Sequence, residues 1–435
     1  MRRLRAPLLG AAVAATLAVT GCGVGSGDSG GSSDNMTMTV WTTNPDQLKL
    51  LNDLTAEFSK THGGGKVEIQ SIPQADYLTK ISIRLSGGTP PDLGWMGAPD
   101  AVGMAKNGQL VDLGPQLKDD ASYQFDDFVP ASFTNWQSGD QVWGVPFSTS
   151  PFFTIYNKDL LAKAGAQDPA KLAATGGWTW QALSDLGRKV QPTLPTGSYA
   201  FQSNDGGIYG KLVWTTLEPL IRAYGGKVFD PDTGQCQLNS PESVAAIQAY
   251  RAMAFTDKTA VPPGNEADFF AGKAAVTFTQ TSRLSQLKGA GFDWGVAPLP
   301  AGPGGPVNFT GQAGLVAFKG GKHEKLATEL VKYLSGKEGT QKLASFFPPA
   351  RKSVLAEAEQ IYAQGPLPKD AIDPVLVSSI EKGYPFRYPS AWPEVLQTSA
   401  PVFDKLWAQN ANAQDVMNDL CQQLDPLLKR DVAGS

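Results

Sequence analysis

The chain has 435 residues, of which 41% are hydrophobic and 18% charged, a globular composition too apolar for a disordered protein, with a length that suggests two domains. Its formal charge is -4, and without Arg2, Arg3 and Arg5 the Lys+Arg count falls from 37 to 34 against 41 Asp+Glu, a balance of -7. With no dense basic run to neutralise phosphates, the charge argues against nucleic acid as the partner.

Arg2, Arg3 and Arg5 precede the apolar run APLLGAAVAATLAV and then Val19-Thr20-Gly21-Cys22. This resembles a bacterial lipoprotein signal peptide over 1–21, with Cys22 as the residue that takes the lipid. An ordinary signal peptide with an incidental cysteine is the alternative. The run is shorter than the ~20 residues of a spanning helix. GVGSGDSGGSSDN has no apolar pattern, so 22–35 is expected to be a flexible tether. Cys236 and Cys421 remain; outside the cell such a pair is a candidate disulfide, with two buried free thiols as the alternative.

MTMTVWTTN alternates as a strand and opens into a loop at Thr43 and Asn44. A helix is predicted over about Gln47 to Lys60, a strand at KVEIQSI, a second helix over Asp76 to Ser86, and a strand at PDLGWM that ends in Gly97. This order is the βαβαβ pattern of a parallel sheet, whose ligands sit beyond the carboxyl ends of the strands.

QVWGVPFSTSPFFTIYNKDLLAKAG is long enough to cross between domains. GKAAVTFTQ near Ala275 and GLVAFKG near Val316 are expected to be two further crossings, which makes each domain discontinuous and permits hinged closure. Between the crossings, GWTWQALSDLGRKV is an amphipathic helix, WTTLEPLIRAYGG ends on paired glycines, and SPESVAAIQAYRAM has Ser240 as N-cap with Pro241 at the first helical position.

The ordered phrases GVPFSTSPFFTIYNKDLLAKAG, WTWQALSDLGRKV, YGGKVFDPDTGQCQLNSPESVAAIQAYRAM, FFAGKAAVTFTQ, FDWGVAPLPAGPGGPVNFTGQAGLVAFKGGKHEKLATELVKYLSGKEGTQKL and PPARKSV resemble extracellular solute-binding proteins of the maltose-binding type. The resemblance covers nearly the whole mature length. Within that family the chain looks most like lipoproteins that take up di- or oligosaccharides or glycerophosphodiesters. The resemblance implies an α/β two-domain clamshell, no catalysis and no cofactor, and docking on an ABC permease with its ATPase. Gln280 and Gln312 stand where small glycines are frequent in the family, and Phe346-Phe347-Pro348-Pro349 replaces a more usual Gly-x-x-Pro turn.

A sugar site combines planar polar side chains with aromatic platforms. On motif position the candidates in the first domain are Asn44, Tyr77, Trp95 and Gly97, and in the crossing strand Ser150 and Phe152. In the second domain they are Trp214, Glu218, Arg222, Phe347, Arg387 and Trp392, with Gln280 and Thr281 after the second crossing and Gln312 in TGQAG. Arg387 in YPFRYPSAW is the natural anchor for a glycerophosphodiester, since a guanidinium donates a forked pair of hydrogen bonds. Each has a packing or turn role as its alternative.

Enzyme classes find little support. His62 and His323 are the only histidines and lack zinc spacing, and neither a GxSxG elbow nor a GxxxxGK[ST] loop occurs. A secreted glycoside hydrolase would need two carboxylates at a set separation, which abundance alone does not argue for. The expectation is a lipid-anchored, monomeric solute-binding lipoprotein with one lobe at 36–146 and 276–330 and the other at 147–275 and 331–435.

Overall fold

The computed structural model describes residues 35–62, 65–203, 208–209, 213–363, 365 and 367–432. The leader, Cys22 and the tether up to residue 34 lie outside the described residues. Among the described residues no helix is long and apolar enough to cross a membrane.

β1 (Met36–Val40) lies between β2 (Val67–Ser71) and β3 (Leu93–Gly97), and both pairings are parallel, as the alternation of patterns predicts. α1 (Pro45–Thr61) and α2 (Gln74–Ser86) are the crossovers, and α3 (Ala98–Lys106) follows β3 directly. α1 begins two residues earlier than the predicted Gln47. Asn44 Oδ1 accepts from the backbone N–H groups of Asp46 and Gln47, and Pro45 sits at the helix start. Its buried residues Leu51, Leu54, Thr55 and Phe58 form one helical stripe.

β4 (Val145–Asn157) is the spine of the molecule, and all 13 of its residues are buried. β5 (Tyr199–Gln202), α4 (Val213–Ala223) and α5 (Pro241–Arg251) come next, α5 capped by the Ser240 hydroxyl as expected. β6 (Ala274–Gln280), β7 (Trp294–Ala297) and β8 (Phe309–Ala317) follow. α6 (Glu324–Ser335), the short β9 (Tyr384–Pro385), α7 (Trp392–Leu406) and α8 (Ala413–Leu428) complete the second half.

One continuous sheet runs β2-β1-β3-β8-β4-β6-β5, with β7 paired to β4 and β9 to β8. The first half of β4 pairs antiparallel with β8, Gln312 opposite Thr149 and Thr310 opposite Pro151. The second half pairs antiparallel with β6, Gln280 opposite Phe152, and with β7. Pro151 has no N–H to donate and sits where the strand leaves one partner for the next, a position that tolerates that loss.

Residues Asn35–Ser435 form one compact unit, within which the apolar side chains segregate into two lobes. The first core draws on Met36 to Phe147, Leu315 to Leu334, Leu343 and Ala350. The second draws on Phe152 to Phe309 and on Leu355 to Leu428, joined by Val129. The chain therefore passes between lobes at 147–152, 309–315 and 350–355.

Two predicted boundaries shift. GKAAVTFTQ is not a crossing: β6 stays in the second lobe, parallel to β5 and antiparallel to the far half of β4, and β7 stays with it. Residues 276–309 thus belong to the second lobe. Residues 331–350 belong to the first, because α6 buries Leu330, Val331 and Leu334 there. Cys236 and Cys421 are bonded, which fixes α8 to the short hairpin of strands Phe229–Asp230 and Gln235–Cys236.

Candidate functional site

Three residues of α4, Trp214, Glu218 and Arg222, recur at every fourth position and so share one helix face. Glu218 is only 1% exposed. Its Oε1 accepts from Arg222 Nε at 2.8 Å, while its Oε2 has no hydrogen-bond partner. Burial pushes the Glu218 carboxyl above its ordinary range and the Arg222 charge partly offsets that. The Arg222 guanidinium lies 5.0 Å over the ring of Tyr384. The Tyr384 hydroxyl and the Trp214 Nε1 are also buried without partners. Buried polar atoms are nearly always paired in folded proteins, and here three unmet ones gather on and around one helix face.

Aromatic rings support this wall. Trp214 packs on Trp392 at 5.5 Å and Trp392 on Tyr388 at 4.9 Å, with Phe386 against both Trp392 and Tyr388. In the first lobe, half-buried Trp41 meets Tyr77 and Trp95 edge-on, each at 5.3 Å. Trp95 in turn packs on Phe147 and Phe347. Tyr388 packs against both cores. Its hydroxyl is driven well above the ordinary tyrosine range, by burial first and then by the carboxylates of Asp100 from the first lobe and Glu218 from the second.

Between the lobes opens a crevice of about 520 Å³. One side is the face of α3 carrying Pro99, Asp100, Gly103 and Lys106, and the other is Ser390, Ala391, Pro393 and Glu394 at the start of α7. Burial pushes the Asp100 carboxyl up to about 6, and no ion pair joins it to another described residue. Among the described residues no His, Cys, Asp and Glu cluster suits a metal ion.

The predicted residues separate into groups. Trp214, Glu218, Arg222 and Trp392 come together on the second-lobe wall. Tyr77 and Trp95 are buried in the first lobe, where the Tyr77 hydroxyl donates to Trp95 O at 2.7 Å and also meets Thr39, so it ties β1 to β3. Phe347 is half-buried on Trp95 at a lobe passage. Asn44 is exposed with its Oδ1 spent on the α1 cap, and Gly97 is the N-cap of α3.

Ser150, Phe152, Gln280 and Gln312 lie at the passage between lobes. Gln280 Nε2 donates to Ser150 O at 3.1 Å over Gly311, where a Cβ would collide with the amide. Gln312 is committed at both ends: Oε1 accepts from Trp136 Nε1 at 3.1 Å and Nε2 donates to Ser132 O at 2.8 Å. The prominence of Gln312 in the sequence therefore reflects a strut at the hinge. Thr281 Oγ1 is buried without a partner. Arg387 is exposed between buried Phe386 and half-buried Tyr388, with no ion pair among the described residues. Asp100, Tyr384 and Tyr388 were missed, although Asp100 stands three residues past Gly97, where the predicted strand ends.

The model of the family described as bacterial extracellular solute-binding protein matches residues 42–341. The arabinooligosaccharide-binding protein of Bacillus subtilis (strain 168) is 26% identical over 370 residues, covering 79% of this chain and 79% of that protein. The cyclic alpha-maltosyl-1,6-maltose binding protein from Arthrobacter globiformis superposes with a TM-score of 0.77 at 19% identity, over 91% of this chain and 99% of that one. UgpB from Mycobacterium tuberculosis, solved with glycerophosphocholine, gives a TM-score of 0.74 at 21% identity, over 91% and 98%. These likenesses show a shared two-lobed fold, and with the family match over most of the chain they lead to one conclusion: the chain belongs to the bacterial extracellular solute-binding protein family.

Proposed function

We propose that this chain is the substrate-binding component of an ABC importer, that its solute is a neutral carbohydrate of di- or oligosaccharide size, and that the solute is held between the two lobes. As a member of a solute-binding family it is not an enzyme. The observation that carries the reading is the buried, unpartnered trio of Glu218 Oε2, Trp214 Nε1 and Tyr384 hydroxyl. Two donors and one acceptor on an aromatic wall match sugar hydroxyls, which both donate and accept, and the apolar C–H faces beside them.

Charge favours the neutral solute over the glycerophosphodiester. Asp100 lines the crevice with no ion pair to another described residue, while the basic side chains nearby are already paired, Lys106 with Asp431, Arg430 with Glu394 and Arg222 with Glu218, so an anionic phosphate would meet an uncompensated carboxylate. Exposed Arg387 is the feature that supports the phosphodiester alternative. The relatives solved or described with oligosaccharides agree with the carbohydrate reading.

A lipid on Cys22 is proposed to anchor the protein at the outer face of the membrane, beside the permease and its ATPase, as a monomer. Labelled protein probed on an array of neutral oligosaccharides, with soluble glycerophosphodiesters as competitors, tests the reading. Saturable array binding supports it. Binding only to a glycerophosphodiester would transfer the function to the alternative.

A further inference from the structure

We propose that Lys106 and Asp431 form a latch across the mouth of the crevice, which biases the lobes toward closure whether or not a solute is bound. Lys106 Nζ lies 3.3 Å from Asp431 Oδ1. Lys106 ends α3, whose Ala98, Ala101 and Met104 belong to the first core. Asp431 follows α8, whose Met417, Leu420 and Leu424 belong to the second core and which the disulfide ties to that lobe. The ion pair thus joins an element of each lobe, beside the packing of Tyr388 on both cores.

The carboxylate is set in place before the lysine reaches it. Asp431 accepts from Ser390 N at 2.7 Å and from the Ser390 hydroxyl, so less side-chain freedom remains to be lost when the pair forms. Arg430 next to it does not compete, because it forks onto Glu394 at 2.7 and 2.8 Å. The helix that carries Lys106 also has a glycine on the facing side, where a Cβ at Gly103 would stand 3.2 Å from Ser390 O. Glycine weakens a helix interior, and here it lets α3 approach the opposite lobe closely enough for the latch to meet.

The side chains of Lys106 and Asp431 are 48% and 29% exposed, so the latch is screened by salt. A bias toward closure lowers the work a solute must do to close the lobes and raises apparent affinity by the same factor.

The test is solute-free and so is independent of which solute the protein carries. A donor and acceptor on Thr89→Cys and Asn410→Cys, exposed positions on the first and second lobe, report the closed fraction in the secreted chain. In wild type the closed-to-open ratio is expected to fall about 1.5- to 5-fold between 20 mM and 500 mM salt. Lys106→Met and Asp431→Asn are each expected to give the high-salt ratio at low salt, and the double variant to lose no more than either single. Matching melting curves check that the variants fold. A salt-insensitive wild type, single variants that behave as wild type, or additive losses in the double variant would each overturn the latch.

Discussion

Glu218 and Arg222 stand one turn apart on α4, joined at 2.8 Å through one carboxylate oxygen while the other oxygen is buried and unmet. One carboxylate oxygen of Glu218 therefore serves the fold, and the other is the one proposed to meet a solute. Arg222 does two jobs in this arrangement: it lowers the cost of a buried charge and it covers the Tyr384 ring.

Arg222→Ala is expected to destabilise the protein by about 2–3 kcal/mol at neutral pH, because it leaves a buried carboxylate without its counter-ion. The loss depends on pH. The folded-state affinity of Glu218 for its proton is raised by burial above the ordinary value of 4.5, so the folded state holds a proton that the unfolded state releases just above that value. Stability falls as pH rises through this window. Losing Arg222 widens the window, so the defect should be largest near pH 7 and smallest near pH 4 to 5, as read by thermal melts across pH.

Asp100→Asn should move stability and binding in opposite directions. The Asp100 carboxyl titrates at about 6 in the folded state against 3.8 ordinarily, so wild type loses stability as pH rises from about 4 to about 6. The asparagine variant escapes that loss and should be about 1–2 kcal/mol more stable at pH 7, the value being reduced for partial exposure. Solute affinity should fall at the same time. Denaturant melts at pH 4 and pH 7 check the first part, since the gain must vanish at the lower pH.

Gln312→Ala removes both ends of the strut to Trp136 and Ser132 and should cost about 1–3 kcal/mol in unfolding free energy. Gln312→Glu keeps the acceptor for Trp136 but loses the donor to Ser132, and should fall between the two. Equal stability of all three proteins would remove the structural role.

Reduction of the Cys236–Cys421 bond closes no packing defect by itself, but it frees a loop whose ends are 185 residues apart in sequence. A loss of about 2–5 kcal/mol is expected. Melts with and without reductant, compared with Cys236→Ser/Cys421→Ser, measure it.

The sequence was informative where local signals suffice. The alternation from Met36 to Gly97 set out the parallel sheet, and Ser240 marked the start of its helix by its own side-chain chemistry. AAVTFTQ misled because a strand buried on both faces has no periodicity to say which sheet it joins. Which strand it pairs with is decided by β4, more than a hundred residues earlier. At the site, Glu218 and Arg222 are four apart on one helix in the sequence, and Trp214, named from the resemblance to the family, shares that face. Asp100 and Tyr388 were not legible, since their importance lies in a meeting between lobes. In YPFRYP the charge drew notice to Arg387, whereas burial falls on its neighbours Phe386 and Tyr388, which pack against the lobe cores.

Solute hydroxyls are proposed to complete the unmet polar atoms around Glu218. Thermal shift of wild type and Glu218→Gln, side by side against neutral di- and oligosaccharides and glycerophosphodiesters, tests it most directly, because a solute bound to the native state alone raises the melting temperature with concentration. The account predicts a concentration-dependent rise for at least one neutral saccharide in wild type and a rise at least tenfold less sensitive to concentration in the variant. A saccharide that stabilises both proteins equally, or no saccharide response beside a clear response to a glycerophosphodiester, would contradict it.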